Sequence, residues 1–383
     1  MSRRRTVLLV CAALGACTAV VSVTPANAAF SAKLKRKLAL TVRNDMTDNR
    51  LPGVGVGVWQ PGRGRWVRAF GIANRKTGRP ARIKDHVRIA SMTKTFTATA
   101  VLQLVDQGRL SLDDRLSTFV PGVDNGDRIT IREMLNMTSG IYDFTDDPAL
   151  AKRFYAKPTL RFGPAQVFAI LRRHKPAFAP GTKIVYCDTN YFLLGLVLEK
   201  VTGRPASRVI ADQILEPLGL TQTSLPTTPP LPKPFAHGYF GGVDLTDPLV
   251  DKTASNPKFG FTMGGMQSTL RDLHKWARVL ATGTLLSPAL QAQRLQTMPF
   301  PNPGPVDVSY GLGIFKLDNL LGHNGAGVGY SSAMFYLPSK RATIVVWGNN
   351  STNDTTPTLT IAFDLAELLF PKAVDQGVIR GTT

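Results

Sequence analysis

The segment SMTK at residues 91–94 places the hydroxyl of Ser91 and the amine of Lys94 three residues apart, directly ahead of an apolar stretch. Between residues 95 and 104 the apolar positions recur with helical spacing. A helix that opens at Ser91 therefore brings both side chains to one face. A hydroxyl is a weak nucleophile at neutral pH, and a neighbouring amine that takes its proton activates it. The segment predicts a nucleophile at a buried helix start.

The same spacing occurs again at Ser255 and Lys258. A pattern this short arises by chance about once in a chain of this length. Proline and glycine surround the second copy and no apolar helix pattern follows it, so we interpret it as a loop. Taken alone, Ser91 could equally be a helix cap beside a solvated lysine. The motifs in the rest of the chain distinguish a nucleophile from a helix cap.

The first 28 residues have the pattern of a secretory signal peptide. Three arginines at 3–5 precede an apolar run from 6 to 23, and Ala26-Asn27-Ala28 offers small residues for cleavage near Ala28-Ala29. We therefore expect a secreted protein. A lipoprotein signal, a twin-arginine signal and an uncleaved membrane anchor stay open as competing interpretations.

Cysteine use fits an exported chain with an ordinary core. Cys11 and Cys17 lie in the leader, so the mature chain would keep only Cys187 and could form no internal disulfide. Composition is that of a globular protein, with 43% hydrophobic and 19% charged residues among 383. That length suits two joined lobes. The proline-rich stretch 225–234 is expected to be a crossing loop or a boundary between lobes.

The chain is strongly basic, with a formal net charge of +20, or +17 without the three leader arginines. Such a charge favours contact with an anionic cell wall or membrane surface. Nucleic acid is not expected as a partner, because the cations are dispersed and no nucleic-acid-binding motif is present. The histidines show no metal-binding spacing, so neither a metal nor another cofactor is expected.

Strand patterns lie at both ends of the chain and helix patterns lie between them. Predicted strands cover 54–59, 66–73, 312–315, 320–323, 331–337 and 342–347. Predicted helices cover 91–104, 131–135, 164–173, 191–201, 206–214, 269–281 and 358–370. We therefore expect an α/β (α+β) protein whose α/β lobe combines residues 29–90 with about 300–383. Residues 91–299 would form an inserted, mostly helical lobe, with the active site between the lobes.

Three further segments follow the SMTK segment in a fixed order: YCDTNY at 186–191, GGMQST at 264–269 and GHNGAGVGY at 322–330. With this ordered set, the chain from about Leu51 to Phe370 resembles the serine β-lactamase and D-alanyl-D-alanine carboxypeptidase superfamily. Its class C β-lactamase, secreted carboxypeptidase and esterase branch is the most similar. The resemblance implies an antiparallel sheet flanked by N- and C-terminal helices.

The resemblance also implies roles for site residues. Ser91 would be acylated, Lys94 would accept its proton, and Tyr186 would relay protons to the leaving group. The backbone amides of Ser91 and Ala326 would form the oxyanion hole, where one lost donor typically costs about 10²–10³ in rate.

The strand segment at 322–330 would bind substrate. His323 would steer a substrate carboxylate, and Gly325 and Ala326 would lie along a strand edge against which substrate backbone pairs.

Two positions depart from the family pattern. Asp188 stands where relatives have Asn, and a carboxylate cannot donate the hydrogen bond that an amide gives to a substrate carbonyl. It would also hold Lys94 protonated, so we hypothesise that Tyr186 does most of the general-base work. Met137 replaces a frequent histidine and is interpreted as structural, and the Cys187 thiol is expected to point away from substrate.

These observations predict a secreted serine hydrolase that forms an acyl-enzyme at Ser91. The favoured substrate is a cell-wall peptide ending in D-alanyl-D-alanine, and a β-lactam or an ester is the competing substrate. A non-catalytic wall- or penicillin-binding protein is the competing function from a different class. Ser331 in GYSSA is rejected as a rival nucleophile, because it leads into a strand and not into a helix.

Overall fold

The computed structural model describes residues 29–241, 248–301, 306–351, 356–371 and 373. The expected signal peptide, residues 1–28, lies outside the described residues.

Twelve α-helices occur in these ranges. They are α1 (Ala32–Asp48), α2 (Thr93–Asp106), α3 (Leu116–Phe119), α4 (Ile131–Leu135), α5 (Pro148–Ala156), α6 (Pro164–Leu171), α7 (Asp188–Thr202), α8 (Ala206–Ile210), α9 (Pro257–Gly264), α10 (Leu270–Thr282), α11 (Pro288–Arg294) and α12 (Pro357–Leu369). A 3-10 turn at Ala90–Met92 precedes α2, and a π-turn at Ala211–Leu215 continues α8.

Fourteen strands occur in the same described ranges. They are β1 (Gly53–Gln60), β2 (Gly64–Asn74), β3 (Arg79–Pro80), β4 (Val87–Arg88), β5 (Tyr239–Phe240), β6 (Val250–Asp251), β7 (Gln267–Ser268), β8 (Met298–Pro299), β9 (Val308–Tyr310), β10 (Phe315–Leu317), β11 (Leu320–Gly327), β12 (Tyr330–Leu337), β13 (Ala342–Gly348) and β14 (Asn350–Ser351).

Nine of these strands form one antiparallel sheet in the order β3-β2-β1-β13-β12-β11-β10-β9-β8. The N-terminal hairpin of β1 and β2 joins the C-terminal strands through the pairing of β1 with β13. β12 and β13 are buried at every position, which explains why their sequences are nearly continuous apolar runs. The two chain ends thus build one sheet, as expected from the sequence.

Helices cover both faces of this sheet. α1 packs on α12, and α12 packs on β12 and β13, where Phe335 contacts Phe363. α10 packs on β1, β12 and β13, where Trp59 stacks on His274 at 4.1 Å. Register places Phe335 and Trp59 on opposite faces of the sheet. The expected antiparallel sheet flanked by N- and C-terminal helices is confirmed, with α1 and α12 together on one side of it and α10 on the other.

α2 runs through the centre of the helical part. Eleven of its fourteen residues are buried, so the helix is enclosed on all sides. It packs against α7 and α9, and its Phe96 stacks on Trp276 of α10 at 4.2 Å. Because α10 lies on the sheet, the range 91–299 does not separate cleanly from it, and the proposed division into two lobes stays a prediction.

Two local predictions were wrong. The predicted strand 312–315 is absent, because the chain turns at Gly313, which has φ of +76°, and β10 begins only at Phe315. The second Ser-x-x-Lys copy does not lie wholly in a loop, because α9 begins at Pro257 with Asn256 as its cap. The Ser255 hydroxyl donates to the Lys252 carbonyl at 2.6 Å.

Candidate active site

Ser91 lies in the 3-10 turn that leads into α2, and neighbouring backbone fixes this turn. Its start is held by Ile89, whose amide donates to the Met266 carbonyl at 3.0 Å. The Ile89 carbonyl in turn accepts from the Ser332 hydroxyl of β12 at 2.8 Å. Ala90 has φ of +46°, a conformation that non-glycine residues adopt mainly where the surroundings impose it. The nucleophile candidate is therefore held between α2 and the sheet.

Lys94 connects Ser91 to α7. Its Nζ lies 3.1 Å from Ser91 Oγ and 2.9 Å from the Met263 carbonyl oxygen, and it donates to Asp188 Oδ1. The side chain is fully buried. Burial alone would lower the pKa of Lys94, but the charges of Asp188 and Tyr186 and hydrogen bonds to them outweigh it and raise that pKa. Lys94 is an ammonium in the resting site.

Tyr186 lies over the same ammonium. Lys94 Nζ is 4.9 Å from the centre of the Tyr186 ring. Burial raises the pKa of Tyr186 to about 12, and the charge of Asp188 adds to this, although the Lys94 charge and hydrogen bonds with Lys94 and Ser91 lower it. The cation acts in the direction inferred from the sequence, but it does not overcome burial.

Asp188 begins α7 and has a side chain that is 24% exposed. Its amide donates to Asp143 Oδ2 at 2.6 Å. Burial, followed by the charge of Asp188, raises the pKa of Asp143 to about 7, against hydrogen bonds from the Thr145 and Asp188 amides. Asp188 therefore contacts Lys94 through its side chain and Asp143 through its backbone amide.

β11 passes directly in front of the nucleophile turn. A Cβ on Gly325 would lie 2.5 Å from the Ile89 carbonyl oxygen and 2.9 Å from the Ser91 amide nitrogen. β10 pairs with β11 only as far as Gly322, so in the described structure the following residues of β11 keep one edge open.

The open edge carries the Ala326 amide. β11 and β12 close a two-residue hairpin at Gly327 and Tyr330. In such a hairpin the closing pair is hydrogen-bonded and the next pair is not, so the amide of Ala326, opposite Ser331, points to the open edge. Ala326 lines the same cleft as Ser91, which is the arrangement an oxyanion hole needs.

His323 lies behind this edge and is only 1% exposed. Its Nε2 is 3.3 Å from the Tyr310 hydroxyl and its Nδ1 is 2.5 Å from the Asn324 carbonyl oxygen. Burial and the Lys94 charge lower the pKa of His323 to about 3, so the ring is neutral at physiological pH. A neutral, buried imidazole offers no charge to a substrate carboxylate in this conformation, and the steering role stays a prediction.

A cleft of about 410 Å³ opens above Ser91. One part of its wall carries the carboxylates of Asp146 and Asp188, and another carries Arg88. Single-sequence reasoning missed Asp146 and Arg88. Chain topology brings Asp146 to the site from the segment before α5, and no motif marks it.

The remaining predicted positions are internal. Met137 is fully buried, and its Sδ lies 3.4 Å from the Cys187 amide and 3.8 Å from Asn190 Nδ2. The Cys187 thiol is buried and lies 3.5 Å from the Ile141 carbonyl oxygen. Burial raises the pKa of this thiol well above its usual range, which makes it a poor nucleophile.

Within the described ranges, no three His, Cys, Asp or Glu side chains converge on a point where a metal could bind. Among the helices of the described residues, none combines the length and apolar character needed to span a bilayer.

The chain has a β-lactamase-type fold, in which Ser91 and Lys94 are in contact at the helix start beside the sheet. The family model for Beta-lactamase matches residues 38–367, so the chain belongs to this family, whose members are serine hydrolases.

Solved structures and known relatives agree with this assignment. A D-stereospecific amidohydrolase from Streptomyces sp. superposes with a TM-score of 0.75 and 32% identity, covering 86% of this chain and 97% of that one. Protein flp of Staphylococcus aureus (strain N315) is 28% identical over 316 residues, which are 80% of this chain and 61% of flp. The chain thus spans about three fifths of that curated relative. A putative D-alanyl-D-alanine carboxypeptidase of Escherichia coli is 32% identical over 144 residues, covering 35% of this chain and 32% of that protein.

Proposed function

We propose that this protein hydrolyses amide bonds whose carbonyl belongs to a D-amino acid, through an acyl-enzyme at Ser91. The observation that carries the proposal is the contact chain from Ser91 through Lys94 to Asp188, whose two ends line a cleft together with Asp146 and Arg88. Similarity to a D-stereospecific amidohydrolase over nearly its whole length supports the D-configured acyl group.

In the proposed reaction, the Tyr186 phenol first releases its proton to solvent and becomes a phenolate beside the Lys94 ammonium. Ser91 Oγ then attacks the substrate carbonyl carbon while its proton moves to the phenolate oxygen of Tyr186. The Ser91 and Ala326 amides hold the resulting oxyanion. Collapse of this tetrahedral intermediate breaks the C–N bond, and the same proton passes from Tyr186 to the leaving amine. Water then attacks the ester, its proton moves to Tyr186 and on to Ser91 Oγ, and the D-amino acid leaves. The charge of Lys94 stabilises the phenolate in each step.

The acid lining favours substrates with a free amino group next to the D-residue. Asp146 and Asp188 lie in the cleft with Ser91. Asp188 stands where relatives have Asn, and the neutral side chain of Asn would bind an acylated substrate nitrogen as well as a free amino group. A substrate ammonium offsets like-charge repulsion between the carboxylates. We therefore place D-aminoacyl amides and peptides first among the substrates.

The test compares p-nitroanilides of D-alanine, L-alanine and N-acetyl-D-alanine. We expect the D-alanine compound to have a kcat/KM at least about tenfold above that of either competing compound. Ser91→Ala should abolish turnover, and Ser207→Ala, on α8 away from the cleft, should leave it unchanged. Equal hydrolysis of D- and L-substrates, or turnover that survives Ser91→Ala, would refute the proposal.

A second candidate function is the D-alanyl-D-alanine carboxypeptidase reaction. Similarity to the Escherichia coli protein favours it, over about a third of the chain. Preference for an N-acylated substrate in the same assay would select it.

Intact mass after adding a penicillin distinguishes a carboxypeptidase from a β-lactamase and from a binding protein. A lasting adduct at Ser91 indicates a penicillin-sensitive carboxypeptidase, and a fleeting adduct with drug consumed indicates a β-lactamase. Absence of all turnover with retained penicillin binding would indicate a binding protein.

A further inference from the structure

A second cleft opens beside the active-site cleft and carries the opposite charge. Its volume is about 530 Å³, and its wall includes Arg161, Lys258 and Gln166 and no acidic residue. Arg161 and Lys258 are exposed, and neither forms an ion pair with any residue that the structure describes. We call this second cleft the basic cleft.

The two clefts share Asn256 in their walls. Asn256 Nδ2 donates to the Leu160 carbonyl at 2.8 Å, and its Oδ1 accepts from the Lys258 amide at 3.1 Å. One side chain thus holds the segment before Arg161 against the start of α9. Lys258 lies in the first turn of α9, directly after the Asn256 cap.

Arg88 links the clefts from the other side. It lines the active-site cleft, and its Nη2 donates at 2.7 Å to the carbonyl of Pro229, a residue that lines the basic cleft. Arg88 is only 8% exposed, and its Nε and Nη1 have no hydrogen-bond partner among the described residues. Nη2 also donates to the carbonyls of Thr253 and Ser255, but no carboxylate of the described residues pairs with Arg88. A buried cation without a counter-ion is unfavourable, so an anion bound nearby would be stabilised.

The charge distribution fits a zwitterion. Asp146 and Asp188 favour an ammonium and repel a carboxylate. Arg88 lines the same cleft but is only 8% exposed, and neutral, buried His323 supplies no counter-charge for that carboxylate. The cations of the basic cleft do. Resting on the proposed function, we propose that the basic cleft binds the C-terminal carboxylate of the leaving group. The preferred substrate is then a short free peptide that begins with a D-residue, and not its amide.

Binding to Ser91→Ala tests this without turnover. Calorimetry would compare D-Ala-Gly, D-Ala-Gly-Gly and D-Ala-Gly-Gly-Gly with their C-terminal amides. We expect the acid of at least one length to bind about tenfold more tightly than its amide, with the ratio falling as salt rises. Arg161→Ala with Lys258→Ala should bring the ratio to about one. The matched control pair, Arg172→Ala with Lys175→Ala, removes two exposed cations outside this cleft and should preserve the ratio.

Equal binding of acid and amide at every length, or binding of neither, would overturn the proposal. So would a ratio that survives the Arg161 and Lys258 substitutions. Turnover of D-alanine p-nitroanilide, which has no carboxylate, reports separately on the proposed function. If that compound is not hydrolysed while the acid-to-amide ratio behaves as expected, the proposed function fails and the anion site stands.

Discussion

Asp188 is the residue at which this site differs most from the family pattern, and its effect on Lys94 is testable. Its charge is the largest contribution that raises the Lys94 pKa against burial. In Asp188→Asn that contribution is lost and burial lowers the pKa of Lys94. Because the wild-type pair holds its protons well above neutrality, we expect wild-type kcat/KM to climb into the alkaline range. In Asp188→Asn the climb should begin at lower pH.

The pH profile of kcat/KM measures this, with circular dichroism to confirm folding. Asp188→Asn should also lose selectivity for a free amino group, by about tenfold, because an amide no longer attracts an ammonium. An unchanged profile would mean that Asp188 does not set the protonation of the site.

Tyr186 is expected to carry most of the general-base work. Its hydroxyl interacts with both Ser91 and Lys94, while Lys94 is held protonated by Asp188. Tyr186→Phe keeps the ring packed on Phe315 and removes only the hydroxyl. We expect the acylation rate, measured by stopped-flow with a p-nitroanilide, to fall by about 10²–10⁴. Near wild-type acylation in Tyr186→Phe would assign the base to Lys94.

At the scale of residues, sequence reasoning could identify those that belong to ordered motifs. Ser91 and Lys94 follow from helical spacing, and Tyr186 and Ala326 from the resemblance. Asp143 and Asp146 could not be found this way, because their proximity to Asp188 comes from the packing of α7 against the preceding segment. The burial of His323 likewise depends on Tyr310 and Phe315, which no local pattern places beside it.

The contact between β11 and the nucleophile turn gives a prediction at the scale of elements. In Gly325→Ala the new Cβ would approach the Ile89 carbonyl oxygen to 2.5 Å. β11 would have to move away from Ser91, so the oxyanion donors would separate and kcat should fall by about 10²–10³. Gly264→Ala is the matched control, because its Cβ would meet Ala90 at an ordinary 3.7 Å. Equal activity of the two variants would show that β11 tolerates the displacement.

A pair of carboxyl groups between α1 and α12 makes stability depend on pH. Asp45 of α1 is 7% exposed and hydrogen-bonds with Asp364 of α12; burial, then the charges of Asp364 and Asp48, raise the pKa of Asp45 to about 7. The folded protein therefore keeps a proton that the unfolded chain releases above its ordinary value of 3.8. This group's contribution to stability is complete below that value and is lost as pH rises towards 7.

Asp45→Asn should remove the free-energy cost of ionising this buried carboxyl group at high pH. We expect the free energy of unfolding at pH 8 to rise by about 1–3 kcal/mol, with little change at pH 4. Thermal unfolding of wild-type and variant at both pH values measures it, and the exposed Asp127→Asn serves as control. A gain of equal size at pH 4 would mean that hydrogen bonding, and not ionisation, distinguishes the variant.

Helices and strands whose apolar residues recur with a regular period were predictable, and irregular elements were not. α4 was predicted at its observed bounds, and β12, β13 and α10 to within one residue. The apolar residues 312–315 were misread because burial against α2, where a Cβ on Gly313 would meet Ala98, also produces an apolar run. α9 was missed because proline and glycine at its start and end resemble a loop.

At the scale of the whole molecule, the order of motifs and the strands at both ends were enough to predict the class of fold. The position of α10 on the sheet was not predictable, because its residues lie in the middle of the chain. Export and the signal peptide concern residues 1–28 and stay proposals. Mass spectrometry of protein collected from the culture medium would place the mature N-terminus.

The excess of positive charge is expected to hold the protein on anionic surfaces, with α1 as a main point of contact. Lys33, Lys35, Arg36 and Lys37 are all exposed on this helix, and Leu40 beside them is 60% exposed. A basic helix face with an apolar side chain suits a membrane surface, where each cation contributes about 1 kcal/mol. Changing the four cations to Glu should therefore weaken binding to anionic vesicles by at least about tenfold.

Sedimentation with phosphatidylserine vesicles at low and high salt measures this binding. The matched control changes four exposed cations elsewhere, Lys152, Arg172, Lys175 and Lys183, to Glu, so both variants lose the same net charge. If α1 is the contact, the control keeps most of its binding while the α1 variant does not. If both variants lose binding equally, attraction depends on total charge alone and no face of the molecule is preferred. Binding that persists at high salt would contradict an electrostatic contact, because salt screens exposed charges.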